Sequence, residues 1–280
     1  MLNQIHEMRL KKQTHASNVR TTTTLSDWFC LSLPIAVRSM KSLRILTIPL
    51  LIVSWLFAGA QDVVIVKKTK SAVYAGVNSR EQKISTDSSG KSDTTFSEFC
   101  KIRKAGKFYF AVTNEFSEES INYASYTSEN AKTFQDFITS YVNDFGLFLS
   151  TSLTNLWKEN SSYYNSRFLI DSAICTTIFF GFEGDTAVLK AVIFKNKGVT
   201  ETYTVGTYAN IVTDTIIVAG KIEEMRTIAR NPKTWKGDFK KVIHQLIKGQ
   251  IKTYPPAIVE PIHIIMVTKD GFKWLLNGCD

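Results

Sequence analysis

The chain has 280 residues, a formal charge of +9 and 44% apolar residues, which suits a globular protein and excludes disordered and collagen-like classes. The charge is uneven. Of the 34 basic and 25 acidic residues, residues 1–60 hold 7 and 2, so the body from 61 onward is only about +4, weak support for an anionic partner.

Residues 1–39 contain TTTT and mixed polar residues with no helical or strand period, and read as an over-extended start or a disordered tail. MKSLRILTIPLLIVSWLFAGAQ (40–61) has the layout of a secretory signal. Lys41 and Arg44 form a short basic region, Ile45 to Phe57 an apolar run, and Ala58-Gly59-Ala60 a small-residue cleavage site. Cleavage is expected before Gln61, giving a secreted or periplasmic protein, and Met40 stands where such a signal begins. The alternative is an uncleaved membrane anchor through 45–57, for which the run is short. Residues 61–280 suffice for one domain, and no linker, repeat or charge block divides them. Cys30 falls in the leader, leaving Cys100, Cys175 and Cys279. Three unpaired cysteines is the preferred reading; one disulfide plus a free thiol is the other.

In the body, Asp62 to Lys68 and Ser71 to Val77 are rich in β-branched residues and read as a hairpin. EQKISTDSSGKSDTTFSE (81–98) is polar and reads as a loop. Phe99 to Arg103 and Lys107 to Thr113 read as strands around a Lys104-Ala105-Gly106 turn, with glycine where a positive φ is required. Phe134, Phe137, Ile138, Tyr141, Phe145 and Leu149 recur at helical spacing, with Leu153, Leu156 and Trp157 extending the stripe and Ser128 as its N-cap. Such an aromatic stripe is core rather than a ligand box. After a polar Asn/Ser/Tyr segment, Ala173 to Phe182 and Ala187 to Lys195 form a hairpin across Glu183-Gly184-Asp185, which Tyr203 and Val205 end or extend. Thr215 to Ala219 is a strand, Asp238 to Lys252 a helix, and Pro261 to Thr268 a strand turning at Lys269-Asp270-Gly271 into Phe272 to Leu275. This order predicts an α+β fold in which helices cover the outer faces of two sheets.

These residues also resemble a known family. VVIVKKTKSAVYAGVNSR (63–80) looks like the opening hairpin of proteasome subunits and their bacterial relatives. Cys100-Lys101-Ile102, with Gly106 and a strand to Ala111, is similar to the family's Lys-Ile segment. VEPIHIIMVTKDGF (259–272) is similar to its last strand, and the resemblance spans about 63–275. It implies the four-layer α/β/β/α sandwich of N-terminal-nucleophile hydrolases. In active members a processed N-terminal Thr, Ser or Cys attacks an amide while its own α-amine acts as base, tuned by an Asp and a Lys. Ring assembly is common among relatives, so a homo-oligomer is implied by analogy alone.

Carried over residue by residue, the nucleophile position falls on Asp62, or on Gln61 with a one-residue shift, and the acid position on Asn78. Lys101 alone matches its place. The resemblance therefore implies a protein of this fold without its catalytic machinery, serving in binding or structure. The rivals are an amide hydrolase with an unrecognised nucleophile, such as Thr69 or Ser71, and an unrelated exported α+β binding protein. Exposing Thr69 or Ser71 as an N-terminus would delete the first strand.

Other chemistry is sparse. His244 and His263 have no carboxylate or cysteine at ligand spacing, and CxxC, HExxH, GxSxG and phosphate-loop motifs are missing from the sequence, so no metal or cofactor is expected. The adjacent pairs Glu118-Glu119 and Glu223-Glu224 read as solvated surface. Lys240, Lys241, His244, Lys248 and Lys252 share one helix face, which is a solvent side or a contact for an acidic partner. They lack the interleaved aromatics of single-stranded nucleic-acid binding. Membrane contact is expected only through the signal segment.

Overall fold

The computed structural model describes residues 62–86, 92–198, 204–209, 214–220, 223–253 and 260–279. The expected leader, its cleavage site at Gln61 and Tyr203 lie outside the described residues. No helix among the described residues is long and apolar enough to cross a membrane.

Strands β1 (Val63–Lys68) and β2 (Val73–Asn78) form the predicted opening hairpin. They join β10 (Ile216–Gly220), β11 (Ile262–Thr268) and β12 (Gly271–Leu276) in an antiparallel sheet of order β10-β1-β2-β11-β12. The second sheet runs β5 (Ile102–Ala105), β6 (Phe108–Asn114), β7 (Ala173–Glu183), β8 (Thr186–Lys195) and β9 (Thr204–Ala209), also antiparallel throughout. Val205 opposes Phe194, so the meander is extended. Gly106 takes the expected positive φ, 58°, at the β5–β6 turn.

The period of two along each strand sorts the core into three apolar layers. Val64 and Val66 face Ala111, Ile178 and Phe180 between the sheets. Val63 and Ile65 point the other way, onto Met225, Ala229, Ile243 and Ile247 of helices α4 (Glu223–Arg230) and α5 (Phe239–Thr253). On the far side, Phe110, Val112 and Phe179 pack against helices α1 (Ser117–Ser128), α2 (Phe134–Glu159) and α3 (Ser161–Arg167), through residues such as Ala124, Phe137, Tyr141 and Tyr164. The fold is thus a four-layer α/β/β/α sandwich, with β1 held between two neighbours and buried along its whole length.

Several expectations are corrected. The stretch 81–98 is not a loop: β3 (Arg80–Thr86) pairs with β4 (Ser92–Glu98) in a separate two-stranded sheet. Its strands join neither large sheet, and their sequence carries no apolar alternation to announce them. Ser128 ends α1 rather than capping α2. The cap is Thr133, whose Oγ1 accepts from Asp136 N at 3.0 Å while Asp136 Oδ2 accepts from Thr133 N at 3.2 Å. Helix α1 carries no apolar stripe because the side chains it buries are Ser120, Ala124 and Thr127. Trp157 leaves the stripe and stays 38% exposed. Finally, Cys100 and Cys279 form a disulfide, while Cys175 is free and buried. The two bonded cysteines stand 179 residues apart and meet only because both border the space between the sheets.

Candidate functional site

Asp62 precedes β1, Asn78 ends β2, Lys101 precedes β5, and Asn114 and Gly220 end β6 and β10. All five converge at one end of the sheet pair. Asp62 and Lys101 form an ion pair, their side chains only 4% and 2% exposed. Asp62 Oδ2 also accepts from the Asn114 backbone N–H at 3.2 Å. Asn78 Oδ1 accepts from Val63 N at 2.7 Å, tying the end of β2 to the start of β1. Its Nδ2 and the Ser79 hydroxyl, both buried, have no hydrogen-bond partner among the described residues. The structure therefore brings together Asp62, Asn78 and Lys101, the three positions singled out in the sequence.

It also adds residues that no local motif flagged. Asn114 and Phe116 hold φ of 76° and 58°, an uncommon pair of non-glycine values that turns β6 sharply into α1. Between them, Glu115 pairs with Arg167 of α3. Burial pushes the Glu115 carboxyl above its ordinary range and the nearby Asp62 charge adds to this, while Arg167 opposes it. Gly220 has φ of 94°, and a Cβ there would stand 1.7 Å from the Asp62 carbonyl oxygen. Only glycine permits β10 to end this close.

Chemically, the centre holds a buried carboxylate–ammonium pair. A carboxylate engaged by an ammonium and a backbone N–H has little electron density to offer an amide carbonyl. Thr113, buried beside it, directs its hydroxyl to Asn114 Oδ1 at 3.3 Å. Cys175 is no hidden nucleophile: burial pushes its thiol up to about 12, so the thiolate is not formed at physiological pH. Thr69 and Ser71 lie in the β1–β2 turn, roughly 20 Å along the strand from Asp62. There the Thr69 hydroxyl is engaged with Ala72 O at 2.8 Å and Ala72 N at 3.0 Å.

The basic residues of α5 are arranged as the helical pattern predicts. Lys241, Lys248 and Lys252 are exposed, and Lys240 and His244 half-buried, opposite buried Ile243, Leu246 and Ile247. Lys248 pairs with Glu260 at 3.3 Å. His263 departs from its sequence reading. Cys279 Sγ lies 3.3 Å from its Nδ1 and Glu98 Oε1 3.3 Å from its Nε2, neighbours that spacing could not reveal.

No protein-family model matches the chain, and no curated protein matches it. Among solved structures, it is similar to Anbu (ancestral beta-subunit) from Yersinia bercovieri. That likeness has a TM-score of 0.46 at 7% identity, covering 76% of this chain and 87% of that one.

Proposed function

We propose that this chain is an exported, catalytically inactive protein of the proteasome-like N-terminal-nucleophile class, with a binding or structural role. The observation that carries this reading is the buried Asp62–Lys101 pair at the position the resemblance assigns to the nucleophile. Aspartate is a far poorer acyl-transfer nucleophile than a hydroxyl or thiol. If the leader is cut before Gln61, the Asp62 nitrogen is an amide and supplies no base. Asn78 uses its amide oxygen to hold the Val63 N–H, a scaffolding role in place of an acid's. Export is supported by the signal-like segment 40–61 and by the Cys100–Cys279 disulfide, which suits an oxidising compartment.

The rival reading is an amide hydrolase with an unrecognised nucleophile; the next candidates along the opening hairpin, Thr69 and Ser71, lie at the far end of β1 from Asp62 and Lys101. A panel of fluorogenic peptide amides tests the choice. The expected result is no turnover above the blank. Turnover that is lost in a Lys101→Ala variant that still folds would overturn the proposal.

A further inference from the structure

Cys100, Cys279 and His263 reach one point from just before β5, just after β12 and the second residue of β11. Their ligand atoms all lie within 4.8 Å of one another. The imidazole is 1% exposed, flanked edge-on by Trp274 with ring centroids 6.3 Å apart. Its Nδ1 stands 3.3 Å from Cys279 Sγ. Its Nε2 has no aligned hydrogen-bond partner, and the Glu98 carboxylate lies 3.3 Å away at ion-pair range.

We infer that these three residues form a thiolate–imidazole site for a zinc-class divalent cation once the disulfide is reduced. Tetrahedral zinc, with Zn–S of about 2.3 Å and Zn–N of about 2.0–2.1 Å, places sulfur and nitrogen about 3.5 Å apart. The observed 3.3 Å between Cys279 Sγ and His263 Nδ1 is already close to that spacing. Tetrahedral coordination also requires the two sulfurs, released by reduction, to stand about 3.8 Å apart. In the tautomer that carries its proton on Nε2, toward Glu98 Oε1 at 3.3 Å, the Nδ1 lone pair points toward Cys279 Sγ, as in carboxylate–histidine–metal arrangements. Three protein ligands leave a fourth position for water.

The redox step balances with a dithiol as reductant. It gives two electrons and two protons to the Cys100–Cys279 bond and becomes a disulfide itself. Cation binding then displaces both thiol protons to solvent, with the imidazole neutral. One site thus has two forms, a cation-free crosslink and a reduced, cation-bound clasp, and both tie residue 279 to the segment that carries Lys101. The inference does not depend on catalytic inactivity or on export.

The test uses the full chain, reduced with a phosphine without oxygen and titrated with Co2+ as a spectroscopic probe. One cobalt per chain is expected, with a thiolate-to-metal charge-transfer band that Zn2+ abolishes and that unreduced protein never shows. Glu98→Gln should weaken binding about 10–100-fold, the usual effect of losing a carboxylate behind a ligating histidine. Cys279→Ser and His263→Ala should lose the band. Thermal melts of the reduced chain, with and without one equivalent of Zn2+, should show stabilisation by the cation. A folded, reduced chain with no band would overturn the inference. So would a band that survives in Cys279→Ser, or a reduced chain that unfolds and that Zn2+ does not restore.

Discussion

Replacing Lys101 by Met removes the ammonium from a pair whose side chains are 2% and 4% exposed. The Asp62 carboxylate would then stay buried with only the Asn114 N–H, at 3.2 Å, as a described hydrogen-bond donor. Removing one partner of a buried pair costs about 3–5 kcal/mol. That is a large share of a total stability of about 5–15 kcal/mol. For a domain of this size it corresponds to a fall in Tm of about 6–20 °C. The double variant Asp62→Leu/Lys101→Met removes both charges together and should recover most of the loss, because two well-packed apolar side chains replace a buried pair at little cost. Urea unfolding of wild type, both singles and the double, followed by circular dichroism, gives the coupling energy directly. A coupling below about 1 kcal/mol, the value of exposed pairs, would refute the picture of a sealed site.

Three further outcomes follow from the same geometry. Gly220→Ala adds a Cβ 1.7 Å from the Asp62 carbonyl oxygen at a φ of 94°. It should cost at least about 2 kcal/mol and lower Tm by about 4 °C or more; an unchanged melt would mean β10 does not end against Asp62. Peptide-resolved alkylation of the native protein at mildly alkaline pH should leave Cys175 unmodified, because its thiol is buried and pushed up to about 12. Labelling of that peptide before unfolding would contradict this. Glu115 has its carboxyl raised mainly by burial, so the folded state holds its proton more tightly than the unfolded chain. The stability this confers is present in acid and is lost as pH rises through the shifted range. Relative to Glu115→Gln, wild type should therefore lose ground as pH rises above the ordinary glutamate range, and a constant difference in Tm would refute the assignment.

The parts of this fold legible in sequence are those whose side chains answer to a packed layer. The valines of β1 and the aromatic stripe of α2 fill two sides of a core, and their spacing declares it. Elements whose sequence carries no apolar period were opaque. Helix α1 buries two hydroxyl side chains and an alanine, and the β3–β4 ribbon joins neither large sheet. Asp62, Asn78 and Lys101 could be placed because the opening hairpin and the Lys-Ile segment are contiguous stretches. Glu115, Arg167 and Gly220 could not, since nothing local ties them to that centre. The same limit hid the Cys100–Cys279 bond and the imidazole beside it, which depend on contacts across 179 residues of chain.

The central claim is that maturation delivers no nucleophile to the site beside Lys101. Intact-mass analysis and N-terminal sequencing of the protein recovered from its own cells test it most directly. The account predicts a mature chain beginning at Gln61, blocked by cyclisation of that glutamine, with Asp62 still paired to Lys101. A mature chain beginning with a free Thr, Ser or Cys would contradict it.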